Sequence, residues 1–334
     1  MLSQADRKNP LVSVIVPTLN RPAMLRDALA SIAAQTYSPI EIIVVNDAGV
    51  DVEGVVARSR FKQHRIVYLK HAINKGLSAA RNTGLKAASG DYIAYLDDDD
   101  VYYPDHIDTL VSFLLASDFK VAYTDAYQAD QCELSSFWRN FFTIHEQSSR
   151  ETTLLYSWSR VVPGRCLRFL YQIFRPRIPY LNHPFVELNH SGVDLFTRGG
   201  GTYLIVKRTI PFSYDFDREM ILVRNLMPVL CVMHHRCCLD RTGLFDETLT
   251  THEDWDLWIR MSQEHKFAHI RKPTCEYTRR TDGSSMSSAI RADFRRTMEL
   301  IYEKYSNLTL SPKVVEAQKA FLQELKNELA NGGV

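Results

Sequence analysis

Residues 89–100 read SGDYIAYLDDDD, so an apolar run follows a Ser-Gly turn and ends in four consecutive aspartates. The aromatic and β-branched side chains of residues 92–96 predict a β-strand. Four adjacent carboxylates repel one another, and a packed strand end gains no stability from them. A divalent cation reverses that cost, because Mg²⁺ and Mn²⁺ bind hard oxygen ligands, roughly one or two carboxylates together with water and phosphate. A solvated acidic turn is the alternative interpretation of this run taken alone.

Strand and helix patterns alternate through residues 11–125. The predicted strands are short and apolar, and they cover residues 11–16, 40–45, 65–69, 92–96 and 121–124. The predicted helices repeat apolar residues at helical spacing, and they cover residues 22–35 and 76–88, with a third beginning at residue 104. Strands that alternate with helices predict an α/β fold, in which right-handed crossovers join a mostly parallel sheet flanked by helices.

Polar clusters follow three of these predicted strands, at residues 17–20, 46–49 and 97–100. Ligands of open α/β sheets bind outside the carboxyl ends of the strands, so the fold should bring the three clusters to one edge. Asp47 on its own is more typical of a turn residue. Because Asp47 lies among three converging strand ends, a binding role is as well supported as a role in the turn.

Composition excludes several classes of protein. The chain has 334 residues, enough for one large domain or two small ones, and its 40 Lys and Arg against 39 Asp and Glu argue against nucleic acid as a partner. No apolar run is long enough for a transmembrane helix, and the polar residues 1–10 lack a secretion signal. The six cysteines show no CxxC spacing, so we expect reduced thiols in a cytoplasmic protein.

Residues 132–201 break the α/β pattern, because they are rich in aromatic residues and Arg and contain no Lys. We expect an insertion here that shapes the acceptor side of a site or rests on the inner face of a membrane. Residues 167–175 can form a short amphipathic helix, which suits a bilayer interface. An oligomer contact or a covering flap is the alternative.

Four segments together resemble the motifs of the family 2 glycosyltransferases with the GT-A fold. They read VSVIVPTLNRP (12–22), IEIIVVNDAG (40–49), NKGLSAARNTGLKAASGDYIAYLDDDD (74–100) and GLFDETLTTHEDWDLWIRM (243–261). The resemblance covers residues 11–125 and 228–285. It implies a Rossmann-like sheet with a nucleotide-sugar-binding half at 11–125 and an acceptor or catalytic half at 202–287, followed by a helical segment at 288–334.

The resemblance also implies a reaction and a set of donor residues. The reaction would be metal-dependent inverting transfer from a nucleotide-diphosphate sugar, with UDP favoured over GDP or dTDP, to a glycan, lipid-linked or protein hydroxyl. Asp99 would hold Mn²⁺ or Mg²⁺, with Asp97 or Asp98 reaching the metal or the ribose. The remaining donor residues would be Asp47 for the base, the backbone of Pro17, Thr18 and Asn20 for the nucleoside, and Lys75 and Arg81 for the diphosphate. For Lys75 and Arg81, ordinary surface cations are the alternative.

Glu253 and Asp254 match the family's catalytic acidic pair, and this match makes Asp254 the general base. Both residues begin a predicted helix, where the dipole favours the charged form of a carboxyl, so we expect Asp254 to be ionised at neutral pH. Simple capping of that helix is the alternative role. Trp255 and Trp258 on the same helix suit core packing better than sugar stacking.

Two other functions fit part of the pattern. A noncatalytic nucleotide-sugar-binding module would bind without turnover. A nucleotidyltransferase also combines an α/β sheet, a metal and carboxylates, but residues 17–22 form no Gly-rich, Lys-containing phosphate loop after the first strand.

Overall fold

The computed structural model describes residues 9–57, 64–133, 194–198, 201–280, 291–308 and 311–330. Residues 134–193, which form most of the predicted insertion and include its amphipathic segment, lie outside these ranges. In the part of the chain that is described, no helix is both long and apolar enough to cross a membrane.

The first half of the chain alternates strands and helices as predicted. Its elements are β1 (Val12–Thr18), α1 (Pro22–Ala33), β2 (Ile40–Asn46), α2 (Glu53–Val56), β3 (Arg65–Lys70), α3 (Leu77–Ala87), β4 (Tyr92–Tyr95), β5 (Val101–Tyr102), α4 (His106–Leu115) and β6 (Val121–Glu133). Every residue of β1, β2 and β4 is buried. Burial on both faces explains why these strands are nearly continuous apolar runs in the sequence.

The second half adds strands, short turns and the C-terminal helices. Its elements are β7 (Asp194–Arg198), β8 (Gly201–Thr209), β9 (Val232–His235), α5 (Leu239–Thr242), α6 (Glu253–Glu264), β10 (Phe267–Arg280), α7 (Arg291–Lys304) and α8 (Pro312–Ala330). The apolar residues 228–233 form a strand only in their last part. A 3₁₀ turn at Val229–Cys231 comes first, closed by a hydrogen bond from Cys231 N to Pro228 O, and β9 follows it.

One sheet contains strands from both halves, in the order β3-β2-β1-β4-β9-β6-β10-β5. The first four strands are parallel, and β10 is parallel to β6. β9 lies antiparallel between β4 and β6, and the β7–β8 hairpin pairs with the end of β6. Because β1 lies between β2 and β4, the loops after these three strands emerge side by side.

Helix α6 is fixed against the sheet by two buried tryptophans. Trp255 and Trp258 are fully buried, which confirms their prediction as core residues. The Trp255 indole N–H donates to Ile221 O at 2.6 Å, and Trp258 packs edge-on against Tyr95 of β4 with ring centroids 6.2 Å apart. The start of α6 is thereby held near the end of β4.

Candidate active site

The three polar clusters meet at the carboxyl edge of the sheet. Thr18 ends β1, and its carbonyl accepts a hydrogen bond from Asp47 N at 3.0 Å. The Thr18 hydroxyl donates to Asp98 Oδ2 at 2.8 Å. Thr18 therefore joins the loop after β2 to the acidic run after β4. The predicted convergence of these residues is present in the structure.

Asp47 is buried and anchors the loop before α3. Its Oδ1 accepts from Lys75 N at 2.8 Å and lies 2.7 Å from His71 Nδ1, while its Oδ2 accepts from Gly76 N at 2.8 Å. Gly76 has φ +91°, a conformation that glycine adopts without strain. A carboxylate offers about four acceptor positions, so Asp47 keeps roughly one for a ligand.

Asn46 and Asn20 shape the rim beside Asp47. The Asn46 amide donates to Val50 O at 2.8 Å and accepts from Gly49 N at 2.8 Å. An ionised carboxylate cannot donate, so an aspartate at position 46 would lose the hydrogen bond to Val50 O. Asn20 is exposed, with φ 56°, and its Oδ1 accepts from Val50 N at 2.9 Å. Pro17, in contrast, is buried within β1.

The acidic run is paired with two arginines. Arg81 Nη2 donates to both oxygens of Asp97, at 2.7 and 3.0 Å. Arg21 Nη1 donates to Asp98 Oδ1 at 3.1 Å and to Asp99 Oδ2 at 3.0 Å. The sequence gives no local signal for Arg21, because a lone Arg before a predicted helix is typical of any surface.

Asp98 is the most buried member of the run. Burial and the neighbouring charge of Asp99 raise the pKa of Asp98 to about 6, against the opposing effect of Arg21 and the Thr18 hydroxyl. Asp100, the last residue of the run, is also buried, and its Oδ1 accepts a hydrogen bond from Thr278 N at 3.2 Å. That contact connects the run to β10.

Arg81 also connects the acidic run to the acidic pair. It is fully buried, and its Nη1 forms an ion pair with Glu253 Oε1 while Nη2 binds Asp97. The surface-cation alternative is therefore wrong for Arg81, whereas Lys75 is exposed. Both amino nitrogens of Arg81 contact carboxylates, so a diphosphate contact would have to compete with these ion pairs.

Asp254 follows Glu253 at the start of α6. Its Oδ1 accepts from Trp255 N at 2.7 Å, and its Oδ2 accepts from the Asn225 amide at 3.0 Å. Burial chiefly, and then the charge of Glu253, raise the pKa of Asp254 to about 7, although Arg81 and the two hydrogen bonds oppose the shift. Desolvation and the like charge of Glu253 thus oppose the helix dipole, which favours the ionised form of Asp254.

Comparison with known proteins assigns the family. Residues 13–174 match the family model described as glycosyl transferase family 2. These residues, 13–174, are therefore assigned to glycosyl transferase family 2. Glycosyltransferase GlyA of Streptococcus pneumoniae is 40% identical over 123 residues, a match that spans 36% of this chain and 18% of GlyA. The uncharacterized glycosyltransferase YwdF of Bacillus subtilis is 25% identical over 326 residues, 96% of each chain.

Solved structures show the fold of this glycosyltransferase. Staphylococcus aureus TarS 1–349 in complex with UDP-GlcNAc gives a TM-score of 0.57 at 18% identity, covering 93% of this chain and 71% of the TarS chain. The mannosyltransferase PcManGT from Pyrobaculum calidifontis, in complex with GDP-Man and Mn²⁺, gives 0.55 at 14% identity, covering 94% and 70%. The GT-A fold predicted from the sequence is confirmed.

The carboxylates of this glycosyltransferase suit a divalent cation that shares its ligands with a substrate. The side chains of Asp97 and Asp99 are 26% and 21% exposed at the sheet edge, and they offer the hard oxygens that Mg²⁺ and Mn²⁺ prefer. Asp97 binds Arg81 through both of its oxygens, and Asp99 binds Arg21 through Oδ2. Among the described residues, no group of three or more His, Cys, Asp or Glu could hold a metal by itself. Water and phosphate would therefore complete the ligand set.

Proposed function

We propose that the protein transfers a hexosyl group, with inversion, from a nucleoside-diphosphate sugar to a hydroxyl of a glycan, lipid-linked or protein acceptor. The observation that carries this proposal is the contact of one buried arginine, Arg81, with both acidic clusters of the sheet edge. It connects the aspartates suited to a diphosphate-bound cation with the carboxylates suited to proton transfer. The family assignment and the GT-A fold support the same reading.

On the donor side, Asp99 would hold Mn²⁺ or Mg²⁺, with Asp97 beside it. When bound, such a cation offsets the negative charge that develops on a departing diphosphate. The protein's own residues bind and orient the nucleotide. The remaining acceptor position of Asp47 suits a base N–H such as that of uracil, and Lys75 lies exposed in the loop that Asp47 fixes. Thr18 and Asn20 border this region. Because uracil carries such an N–H, UDP is the first nucleotide to test.

On the acceptor side, Asp254 would remove the proton from the attacking hydroxyl. A general base works best when its pKa lies near the working pH, and Asp254 meets that condition. The Asn225 amide and the Trp255 N–H each bind one of its oxygens and so fix the plane of the carboxylate. Displacement from the face opposite the leaving group gives inversion, which requires the base and the diphosphate on opposite sides of the sugar.

A panel of UDP-, GDP- and dTDP-sugars with Mn²⁺ tests this function. Chromatography that follows both products and substrates separates the three candidate classes. A glycosyltransferase releases the nucleoside diphosphate, a nucleotidyltransferase exchanges nucleotide with pyrophosphate, and a noncatalytic module binds the donor without turnover. Binding of a donor in calorimetry with no released diphosphate, across several acceptor types, would contradict the proposal.

For residues 132–201 we propose a segment that shapes the acceptor side of the site or rests on the inner face of a membrane. The Arg and aromatic bias of this segment supports it. Flotation with anionic liposomes, compared between the intact protein and a 132–201 deletion, tests the membrane contact. Equal flotation of the two proteins would refute it, and sedimentation of both tests the alternative of an oligomer contact.

A further inference from the structure

Arg21 lies between a buried and a partly exposed carboxylate of the acidic run. One of its nitrogen atoms, Nη1, binds Asp98 Oδ1 and Asp99 Oδ2 at 3.1 and 3.0 Å. Its backbone is fixed on both sides. Asn20 before it has φ 56°, and α1 begins directly after it at Pro22, whose missing N–H suits the first turn of a helix. The guanidinium is therefore held at the edge formed by β1 and β4.

The Arg21 side chain uses only one of its nitrogen donors in the contacts with Asp98 and Asp99. Within the described residues, its Nε and Nη2 atoms make no hydrogen bond, and the side chain is 28% exposed. A guanidinium offers a planar fork of donors that matches phosphate oxygens. Arg21 can therefore bind a carboxylate and a diphosphate in turn, or both at once.

A metal ion held by Asp99 would lie close to the Arg21 guanidinium, which binds Asp99 Oδ2 at 3.0 Å. Arg21 and the proposed cation both carry positive charge, and both need oxygens of the same carboxylate. Asp98 differs, because it is buried and also accepts a hydrogen bond from the Thr18 hydroxyl. When the metal ion replaces the Arg21 guanidinium at Asp99, a positive charge still offsets the charge of the acidic run.

We propose that Arg21 holds the place of the metal ion at Asp99 in the donor-free protein and transfers its guanidinium to the diphosphate when donor and metal bind. This inference rests on the proposed function, since it takes Asp99 as the metal carboxylate. It assigns Arg21 as a residue that binds the donor phosphates. A purely structural role for Arg21 predicts a different response to its removal.

Calorimetric titration of the full chain with Mn²⁺ alone, and then with UDP or GDP at saturating Mn²⁺, tests the proposal. We expect Arg21→Gln to bind Mn²⁺ alone roughly 5-fold more tightly than the unmodified protein, because its competitor is gone. The same variant should bind the nucleoside diphosphate roughly 10-fold more weakly, because a charged phosphate contact is lost. Arg21→Lys keeps the charge without the fork, and it should restore competition with Mn²⁺ but not the nucleotide affinity.

Arg26→Gln is the matched control, since Arg26 lies in α1, is similarly exposed and contacts Asp27 instead of the run. It should leave both affinities unchanged. Unchanged or weaker Mn²⁺ binding by a folded Arg21→Gln would overturn the inference. Asp99→Asn separates this result from failure of the proposed function. If Asp99→Asn loses Mn²⁺ binding while Arg21→Gln gains nothing, only the role of Arg21 is wrong. If Asp99→Asn keeps Mn²⁺ binding, the metal assignment itself fails.

Discussion

Arg81 and Glu253 lie 172 residues apart in the sequence and form a buried ion pair at the carboxyl edge of the sheet. The same guanidinium binds Asp97 on its other side and lies over the Phe245 ring at 5.5 Å. Its Nε is buried and has no hydrogen-bond partner among the residues that the structure describes. Arg81 is thus an internal part of the site that fixes the acidic run relative to the acidic pair.

Replacing Arg81 should destabilise the protein strongly. We expect Arg81→Met to lower the free energy of unfolding by about 3 kcal/mol, because it leaves the buried Glu253 carboxylate without its cation. Urea unfolding at neutral pH measures the change. Arg241→Met is the control, since Arg241 pairs with Glu264 at the surface and should cost less than about 1 kcal/mol. Equal losses for the two variants would contradict a buried, structural ion pair.

The activity should depend on pH through Asp254. A general base must be deprotonated, so the rate should rise with pH and level off above the pKa of Asp254, which is raised to about 7. An ordinary aspartate would give a limb near pH 4. The dependence of kcat on pH in the presence of saturating donor provides the measurement. The rise in kcat should fall within about pH 5 to 8. A kcat that stays constant over this interval would exclude Asp254 as the titrating base.

Gly84 should tolerate no side chain, because α3 packs closely on β1 there. A Cβ at Gly84 would lie 2.6 Å from Ile15 Cγ2. We expect Gly84→Ala to lower the free energy of unfolding by about 1–3 kcal/mol through overpacking. Gly54→Ala is the control, because Gly54 lies in α2 and no atom of the described residues is within 4 Å of its Cβ position. This variant should be neutral or stabilise by about 0.5 kcal/mol. Chemical denaturation measures the free energy of unfolding of both variants. A loss of stability in Gly54→Ala but not in Gly84→Ala would contradict the packing argument.

Asn46→Asp should weaken the turn beside Asp47. The carboxylate cannot donate to Val50 O, so we expect a loss of about 1–2 kcal/mol in the free energy of unfolding and weaker nucleotide binding. Asn74→Asp provides the comparison, because Asn74 is exposed and only accepts, from Gly76 N at 3.1 Å. That variant should change stability by less than about 0.5 kcal/mol. Thermal unfolding of the pair decides, and an Asn46→Asp protein as stable as Asn74→Asp would refute the argument.

The arrangement of the strand ends was predictable from the sequence for a simple reason. Apolar runs that are buried on both faces give β1, β2 and β4, and polar residues that directly follow parallel strands must share an edge. Thr18, Asp47 and Asp98 therefore meet as expected. The prediction needed only local patterns and one rule of topology.

Other features depend on contacts between distant residues, which no local pattern records. His71 binds Asp47 from 24 residues away, and Arg21 reaches Asp99 across 78 residues. The raised pKa of Asp254 follows from burial against the rest of the fold, whereas the sequence showed only a helix start. Glu41 is a further example: it is fully buried in β2, and the side chains of Ser13 and Ser89 donate to it.

Donor binding and turnover by Asp99→Asn and Asp254→Asn, measured side by side with the UDP-sugar that the unmodified protein uses, test the central claim most directly. Asp99→Asn should lose metal-dependent donor affinity. Asp254→Asn should bind the donor normally and turn over roughly 10²- to 10⁴-fold more slowly. Unimpaired turnover by Asp254→Asn would contradict the role of Asp254 as the general base. Unchanged metal-dependent donor binding by Asp99→Asn would contradict the role of Asp99 as the metal ligand.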